Sequence, residues 1–207
     1  MPETLCKKCR REGEKLFLKG EKCSSPRCPF VRRSYGPGQH GASSMRRRSS
    51  EYGEQLREKQ KVKRIYGIRE RQFSNYFKKA SKSKGITGEV LLSILEKRLD
   101  NAIFKLGFAN SRNHARQTIS HGHIQVNGKK VDISSYGLKT GDTMSFSSVF
   151  QKKDDLKKIS ERIKSYNSPA WLEIDKKKVE GKVVSDPKRE DSDQTINENL
   201  IVEYYSR

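Results

Sequence analysis

The sequence predicts an α+β protein, and three features support this fold class. A basic helix and a tight hairpin follow one another between Ser111 and Asp132. Segments with the apolar periodicity of helices lie on both sides of them, and short alternating segments typical of strands come after them. The four cysteines of the chain lie within residues 6–28, with the spacing of a small metal-binding segment. We therefore expect several small units rather than one large hydrophobic core.

The predicted basic helix runs from Arg112 to about His121. Ser111 has a hydroxyl that suits an N-cap, and Gly122 suits the left-handed residue that ends a helix. The helix has two faces, with Ala115, Thr118 and Ile119 toward the core and Arg112, Asn113, Arg116, Gln117 and Ser120 toward solvent. One face can therefore pack while the other meets a polyanion.

The hairpin after this helix is predicted from the dipeptide Asn127-Gly128. Both residues tolerate positive φ, as a type I′ turn requires, and short apolar segments flank them. Lys129 and Lys130 follow the turn, so we expect both ammonium groups to lie beside the basic helix. A basic helix next to a basic hairpin indicates nucleic-acid binding.

The charge balance indicates an anionic partner. The chain has 45 Lys and Arg residues against 25 Asp and Glu, which gives a formal net charge of +20 in 207 residues. Such a charge favours phosphate backbones, because binding releases their condensed counterions. Nucleic acid is the first candidate and an anionic membrane surface the second. A bilayer-spanning helix needs about 20 apolar residues. The sequence has neither such a run nor a secretion signal at its start, so we expect a cytosolic protein.

The four cysteines have the spacing of metal ligands. Cys6 and Cys9 form a C-x2-C pair, and Cys23 and Cys28 form a looser second pair. Four thiolates can hold Zn²⁺ in a closed tetrahedral site that leaves no position for catalytic water. An iron–sulfur cluster, two disulfides and unligated thiols are the alternatives. The sequence therefore predicts structural zinc at Cys6, Cys9, Cys23 and Cys28.

Basic residues continue into a glycine-rich strip and the helix after it. Arg32, Arg33, Gln39 and His40 lie in the strip, where glycines let the backbone approach phosphates closely. A plain linker explains the strip equally well. In the helix predicted from Ser50 to Tyr66, the cations Lys59, Lys63 and Arg64 belong to an exposed cationic face.

The remaining secondary structure follows from apolar periodicity. Further helices are predicted from Glu70 to Ser83, Val90 to Leu106 and Asp154 to Tyr166. Strands are predicted around Met144 and Phe146, from Trp171 to Ile174 and from Val179 to Val184. The tail from Asn197 to Tyr205 has a helical apolar face but also suits a strand.

Several short motifs occur in a fixed order through the chain. They are Arg98-Leu99-Asp100-Asn101, Leu106-Gly107-Phe108-Ala109, Ser111-Arg112, Ala115-Arg116-Gln117, His121-Gly122-His123-Ile124, Val126-Asn127-Gly128 and Val131-Asp132-Ile133. Together with the cysteines, Pro37-Gly38-Gln39-His40-Gly41, Trp171-Leu172 and the end from Glu198 to Arg207, they resemble the family of bacterial small-subunit ribosomal protein S-four. The resemblance covers nearly the whole chain. It departs from the usual pattern at Gly36 and Ser134, where turns are loosened.

The resemblance implies a structural protein that binds small-subunit ribosomal RNA early in assembly, in the cytoplasm. It also implies contact with neighbouring ribosomal proteins, with S-five first among them, a part in translational accuracy and, in some bacteria, repression of its own messenger RNA. In this family a small α+β RNA-binding domain is inserted in a helical domain, which favours a C-terminal helix. The expected domains are residues 1–45 for the cysteine segment and basic loop, 46–90 with 178–207 for the helical domain, and 91–177 for the inserted domain with its helix–hairpin motif.

Two rival functions share some of these features. The helix–hairpin module also occurs in RNA-modifying enzymes, but the sequence has no phosphate-binding glycine motif and no nucleophile beside a base. We therefore assign no catalytic residue and no small-molecule substrate, and expect Asp100 and Glu96 to pair with nearby arginines. A zinc-finger DNA-binding regulator fits the charge, but the cysteines do not follow the C2H2 pattern. The residues assigned to RNA contact are Arg32, Arg33, Gln39, His40, Arg46, Arg47, Arg48, Lys59, Lys63, Arg64, Ser111, Arg112, Arg116, Gln117, His121, Lys129 and Lys130.

Overall fold

The chain forms two compact units in the computed structural model, which describes residues 4–44, 50–151, 154–164 and 166–207. The first unit comprises Met1–Lys78 with Gln194–Arg207, and the second comprises Lys79–Asp193. The second unit contains the residues 91–177 expected for the inserted domain and extends beyond them on both sides. The helix Thr87–Glu96 contacts elements within the unit, and the segment Glu180–Val183 pairs in its sheet. In the described part of the chain, no helix combines the length and the apolar character that crossing a membrane requires.

Helices and strands alternate along the second unit, whereas the first unit is helical. The helices are α1 (Leu5–Glu12), α2 (Glu21–Ser24), α3 (Pro29–Arg32), α4 (Gly41–Ser44), α5 (Glu51–Ile65), α6 (Glu70–Ser81), α7 (Thr87–Glu96), α8 (Leu99–Lys105), α9 (Arg112–Ser120), α10 (Ser148–Gln151), α11 (Asp154–Lys164) and α12 (Glu198–Tyr205), with a 3-10 helix at Arg189–Asp191. The strands are β1 (Ile124–Val126), β2 (Lys129–Lys130), β3 (Thr143–Phe146), β4 (Leu172–Asp175) and β5 (Glu180–Val183). The α+β fold class is thus confirmed.

The C-terminal helix α12 packs on α5 in the first unit. It begins after Asn197, whose side chain accepts a hydrogen bond from the backbone amide of Asn199 and so caps the helix. Ile201 is fully buried, and the ring of Tyr205 stacks on Phe77 with the two ring centres 4.4 Å apart. The tail is therefore a helix and not the alternative strand.

Two lysines of α5 turn into the first unit rather than toward solvent. Lys59 and Lys61 are only 4% and 5% exposed, so the predicted cationic face of this helix does not include them. The ammonium of Lys59 lies 2.8 Å from a carboxylate oxygen of Glu70 and 4.3 Å from the ring centre of Tyr204. The hydroxyl of Tyr205 donates to the same oxygen of Glu70 at 3.0 Å. These charge-assisted contacts tie α5 to α6 and α12.

The second unit contains a five-stranded sheet in the order β2-β1-β3-β5-β4, with every neighbouring pair antiparallel. Met144 and Phe146 of β3 are buried at 0% and 3% exposure, as the alternation of this segment predicts. The helices α8 and α9 cover the core together with the sheet. The most buried side chains of this core are Leu99, Ala102, Ile103, Leu106, Phe108, Ala115, Ile119, Ile124, Met144, Ile163, Trp171 and Val183.

The helix predicted from Val90 to Leu106 is in fact two helices, which corrects the sequence interpretation. The first of them, α7, ends at Glu96, and α8 begins at Leu99 with Arg98 extended between them. The amide of Leu99 donates to the carbonyl of Tyr136 at 2.9 Å. In a continuous helix this amide would donate to a carbonyl of the preceding turn, but here a loop distant in sequence provides the acceptor. Both helices bury their apolar faces in the same unit, and the periodicity therefore does not reveal the break.

The carboxyl of Glu70 makes the stability of the first unit depend on pH. Burial tends to raise the pKa of Glu70, but hydrogen bonds from Lys59, Lys63 and Tyr205 outweigh it and lower the pKa to about 2. The contribution of Glu70 to stability is therefore complete above its ordinary pKa of 4.5 and is lost as the pH falls from 4.5 toward 2. We expect Glu70→Gln to flatten the acid-side fall of the free energy of unfolding, measured by denaturant titration at a series of pH values.

The effect should be modest, because the Glu70 side chain is 46% exposed and solvent screens its ion pairs. Glu89→Gln is the matched control, since Glu89 is an exposed carboxyl outside this cluster. Identical pH profiles for the wild type and Glu70→Gln would contradict the prediction.

Candidate nucleic-acid interface

The basic helix of the predicted motif is α9. It starts after Ser111, whose hydroxyl accepts a 3.2 Å hydrogen bond from the amide of His114, and the chain leaves it through Gly122 at φ +70°. This confirms the predicted cap and the predicted stop. The buried face is as predicted, with Ala115, Thr118 and Ile119 buried. On the predicted solvent face Asn113, Gln117 and Ser120 are exposed, whereas Arg112 and Arg116 are half-buried.

The hairpin after α9 has the predicted type I′ turn. Asn127 and Gly128 adopt φ values of +50° and +76°, and the flanking residues pair as β1 and β2. The side-chain oxygen of Asn127 accepts a 2.9 Å hydrogen bond from the amide of Thr143, which fixes the turn against β3. Lys129 and Lys130 are both exposed. The hairpin therefore presents two cations on a rigid turn.

Lys130 lies over the C-terminal end of α9. A Cβ built on Gly122 would be 2.6 Å from the Lys130 Nζ atom and even closer to its Cε atom. A larger residue would push the end of this lysine side chain aside, and glycine also tolerates the positive φ at this position. A cation at the end of a helix interacts favourably with the partial negative charge of the last carbonyls. The helix and the hairpin thus meet where Lys130 lies against Gly122.

The two arginines of α9 are held by the first turn of α8. Arg116 donates from Nε to a carboxylate oxygen of Asp100 at 3.2 Å and makes a second, shorter hydrogen bond from Nη2 to the same oxygen. Asp100 is 1% exposed and also accepts from Arg98 at 3.0 Å and 2.7 Å. Arg112 donates from Nε to the side-chain oxygen of Asn101 at 2.8 Å. Asp100 pairs with arginines, as predicted.

The sequence interpretation missed Asn101 as a site residue. Its Nδ2 donates to the backbone oxygen of Glu96 at 3.0 Å and to the Glu96 carboxylate at 2.7 Å, so its Oδ1 faces Arg112. Asn101 and Glu96 are both completely buried. The guanidinium of Arg112 also lies over the ring of Phe104, 4.8 Å from its centre. The sequence shows an asparagine directly after Asp100, but its hydrogen-bond partners are set by tertiary packing and cannot be read from the sequence.

Two histidines next to the hairpin continue an aromatic series that begins in the core. The rings of Phe146 and Phe150 are 4.9 Å apart, those of Phe150 and His123 are 4.9 Å apart, and those of His123 and His121 are 5.9 Å apart. His121 is exposed. An exposed imidazole on a rigid aromatic support is suited to stack on a base.

In the first unit, the glycine-rich strip is anchored rather than free. Arg10 of α1 donates to the backbone oxygens of Tyr35 at 3.0 Å and Gly36 at 3.2 Å, and its guanidinium lies 5.0 Å from the ring centre of Tyr35. These contacts argue against a plain linker. The strip residues assigned to RNA contact are all exposed, namely Arg32, Arg33, Gln39 and His40.

The cations assigned to RNA contact on α5 already have carboxylate partners. Lys63 lies 2.8 Å from Glu70, and Arg64 forms an ion pair with Glu12; the two cationic side chains are each 19% exposed. Lys59 is buried in its ion pair, so little of it can reach a ligand. The assigned residues Arg46, Arg47 and Arg48 lie outside the described residues.

All four cysteines belong to the first unit, as free thiols. Cys9, Cys23 and Cys28 are buried, and Cys6 is half-buried. Burial raises the pKa of Cys9, a backbone hydrogen bond with Leu16 lowers it, and the charges of Cys23, Cys6 and Cys28 raise it, so the four sulfur atoms influence one another. Among the residues that the structure describes, no three His, Cys, Asp or Glu side chains are arranged to hold a metal ion.

The fold and this interface define a basic protein with a helix–hairpin domain of the kind that binds nucleic acid. Family models match along much of it, the "Ribosomal protein S4/S9 N-terminal domain" over residues 2–96 and the "S4 domain" over residues 97–144. The chain belongs to the family of small ribosomal subunit protein uS4.

Relatives with this name match over almost their full length. The protein from Halothermothrix orenii is 54% identical over 203 residues, which cover 98% of this chain and 97% of the relative. The protein from Thermoanaerobacter sp. strain X514 is 55% identical over 203 residues, with 98% and 96% covered. The protein from Clostridium botulinum strain Eklund 17B is 54% identical over 202 residues, with 98% and 96% covered.

The position of Lys130 over Gly122 predicts unequal effects at two glycines. Gly122→Ala and Gly128→Ala both place alanine at positive φ, which costs about 1–2 kcal/mol. Only the Cβ at position 122 would also displace Lys130, because nothing lies within 4 Å of a Cβ at Gly128. We expect Gly122→Ala to lower the free energy of unfolding by about 0.3–1 kcal/mol more than Gly128→Ala does, because Lys130 would lose its interaction with the end of the helix.

Urea denaturation of the two variants measures this difference, and the Lys130→Ala background serves as the control. In that background the two alanine substitutions should have equal effects. Two results would contradict the position of Lys130 over Gly122. One is an equal loss of unfolding free energy for the two variants when Lys130 is present, and the other is a larger loss for Gly122→Ala that persists in the Lys130→Ala background.

Proposed function

We propose that this protein is a structural constituent of the small ribosomal subunit and binds its ribosomal RNA in the cytoplasm. The observation that carries the proposal is the joint basic surface of α9 and the hairpin, where Lys130 lies over the end of the helix. This surface falls within the residues that match the S4 domain. Relatives named as small ribosomal subunit proteins match along nearly the whole chain. The family is one of structural ribosomal proteins rather than enzymes, in agreement with the assignment of no catalytic residue.

The proposed mechanism is recognition of folded RNA by shape and phosphate contacts. An A-form helix hides its base edges in a deep, narrow groove, so phosphates and sugars are the accessible groups. Lys129 and Lys130 supply exposed ammonium groups, and Arg112 and Arg116 supply guanidinium groups with defined orientation. Arginine suits phosphate because its planar fork can donate two parallel hydrogen bonds.

Other assigned residues, in each unit separately, are also proposed to contact RNA. On α9 and at its cap these are Ser111, Gln117 and His121, of which Gln117 and His121 are exposed. In the first unit the anchored strip offers exposed side chains, and Lys63 and Arg64 offer partly exposed cations. His121 is proposed to stack on a base, and each of the others is proposed as a phosphate or sugar contact that positions the protein on its RNA.

Neighbouring ribosomal proteins are the expected protein partners, and ribosomal protein S-five is the specific partner that we propose. This proposal is supported by the resemblance of the sequence motifs alone. Early binding during subunit assembly and a contribution to translational accuracy are supported in the same way.

We also propose that the four cysteines hold a structural Zn²⁺. The chemistry of the four thiols suits this ion, because Cys9, Cys23 and Cys28 are buried free thiols and Cys6 lies one turn from Cys9 on α1. Binding would have to draw the sulfur atoms together, since the described side chains are not arranged around a common point. The amide of Lys19 donates to the sulfur of Cys23 at 3.3 Å, as amides commonly do to thiolate ligands. When bound, the ion would crosslink α1 to the segment from Cys23 to Cys28.

Competition between ribosomal RNA and duplex DNA tests the proposed function. The family resemblance implies binding at a junction of helices in the five-prime domain of small-subunit ribosomal RNA. We therefore expect a transcript of this domain to stay bound in gel shifts under excess duplex DNA. Lys129→Ala should weaken binding and flatten the slope of log K against log salt by about one unit, because one phosphate contact is lost. Lys177→Ala is the matched control, since Lys177 is an exposed lysine between β4 and β5, at the sheet edge opposite to β2.

Equal affinity for duplex DNA would favour a DNA-binding regulator and contradict the proposal. So would equal effects of Lys129→Ala and Lys177→Ala. In cells, the protein should co-sediment with small ribosomal subunits in high salt, and release with the soluble factors would contradict the ribosomal assignment.

Metal titration tests the zinc proposal. Reduced, metal-free protein should bind one Zn²⁺ per chain and gain thermal stability, with about 2.7 kcal/mol expected at a free concentration 100 times the dissociation constant. Cys9→Ser should abolish stoichiometric binding, whereas Ser24→Ala, next to Cys23, should not. A brown iron chromophore would favour the cluster instead, and a mass lower by four hydrogens would favour two disulfides.

A further inference from the structure

We propose that Asn101 is a positioning residue that holds Arg112 in the orientation in which it meets RNA. The inference deepens the proposed function and rests on it. The contacts that orient Arg112 lie within the second unit of the protein. Asn101 itself is completely buried and does not reach the ligand.

The orientation of the Asn101 amide is fixed by its partners. Its Nδ2 lies 3.0 Å from the backbone oxygen of Glu96 and 2.7 Å from the carboxylate of Glu96. Both partners are acceptors, so the nitrogen of the amide must point to them and the oxygen must point to Arg112. The Nε of Arg112 donates to that oxygen at 2.8 Å. A buried amide thus holds the inner side of the guanidinium.

A second contact restrains the plane of the same guanidinium. Its central carbon lies 4.8 Å from the centre of the Phe104 ring, on the next turn of α8. Asn101 and Phe104 are separated by one turn of a single helix, so one rigid element supplies both contacts. The half-buried Arg112 side chain is therefore confined before any RNA binds.

Asp100 restrains the neighbouring arginine in a similar way. Its carboxylate accepts two hydrogen bonds from Arg116, whose side chain remains 30% exposed, while Arg98 fills the buried side of the same carboxylate. Arg112 and Arg116 lie one turn apart on α9, and consecutive residues of α8 hold them. The spacing of the two guanidinium groups is consequently set by the packing of α8 against α9.

Confinement of this kind increases affinity by lowering the ordering cost of binding. A free arginine must give up side-chain conformations when it meets a phosphate, whereas a held arginine has already given them up during folding. Loss of one such restraint corresponds to about a fivefold loss of affinity. The number of phosphates contacted does not change, so the salt dependence of binding should not change either.

The experiment measures the affinity of the full-length protein for the five-prime-domain transcript at several salt concentrations. We expect Asn101→Ala to weaken binding about fivefold with an unchanged salt slope. Arg112→Ala should weaken binding and also flatten the slope by about one unit. The double variant should bind no more weakly than Arg112→Ala, because Asn101 acts through Arg112.

Two further variants keep the test decisive if Asn101→Ala is poorly folded. Arg112→Lys retains the charge but loses the Nε donor, so it should also weaken binding at an unchanged slope. Thr118→Ala is the control for a buried polar group on α9, since the Thr118 hydroxyl bonds to the His114 carbonyl and not to either arginine; it should bind RNA like the wild type.

Three results would overturn the inference and leave the proposed function standing. The first is wild-type affinity for Asn101→Ala while Arg112→Ala binds RNA weakly. The second is wild-type affinity for Arg112→Lys. The third is a loss of RNA affinity on Asn101→Ala that is as large in the Arg112→Ala background as in the wild type. Failure of the wild-type protein to bind the transcript would overturn both proposals.

Discussion

The second unit depends on one buried carboxylate, that of Asp100 in the first turn of α8. It accepts hydrogen bonds from Arg98, which is 3% exposed, and from Arg116 of α9. Breaking a buried ion pair by removal of one partner costs about 3–5 kcal/mol, because the other charge stays buried without compensation. The backbone beside it is tied to the loop after the hairpin through Leu99 and Tyr136. Helix α9, the loop that follows the hairpin and the α7–α8 break therefore meet at the same first turn of α8.

The same physical device recurs in the first unit, and it explains how so basic a chain stays compact. A net charge of +20 opposes folding by self-repulsion. Carboxylates placed between cations counter it locally, since Glu70, whose side chain is 46% exposed, holds Lys59 and Lys63 at 2.8 Å each. Such carboxylates join neighbouring helices, while exposed lysines and arginines remain available on the surface.

Local features of the site could be predicted from the sequence, and its long-range contacts could not. The cap at Ser111, the turn at Asn127 and Gly128 and the apolar face of α9 each depend on a few adjacent residues. The break before Leu99 depends on a carbonyl in a loop, and the role of Asn101 depends on the packing of α8 against α9. A buried lysine such as those of α5 has the same sequence signature as an exposed one, because only its tertiary partners distinguish them.

The interface joins two kinds of cation, and each kind serves a different part of recognition. Lys129 and Lys130 are exposed point charges, so their attraction to phosphate would be strong at low salt but would carry little information about RNA shape. Arg112 and Arg116 are held by buried partners at a fixed spacing, so they fit only phosphates that match that spacing. Under the proposed function, lysines at the surface would favour encounter, and arginines held from the interior would select the fold of the RNA. Selectivity would then depend on residues such as Asn101, which the proposal places out of reach of the nucleic acid.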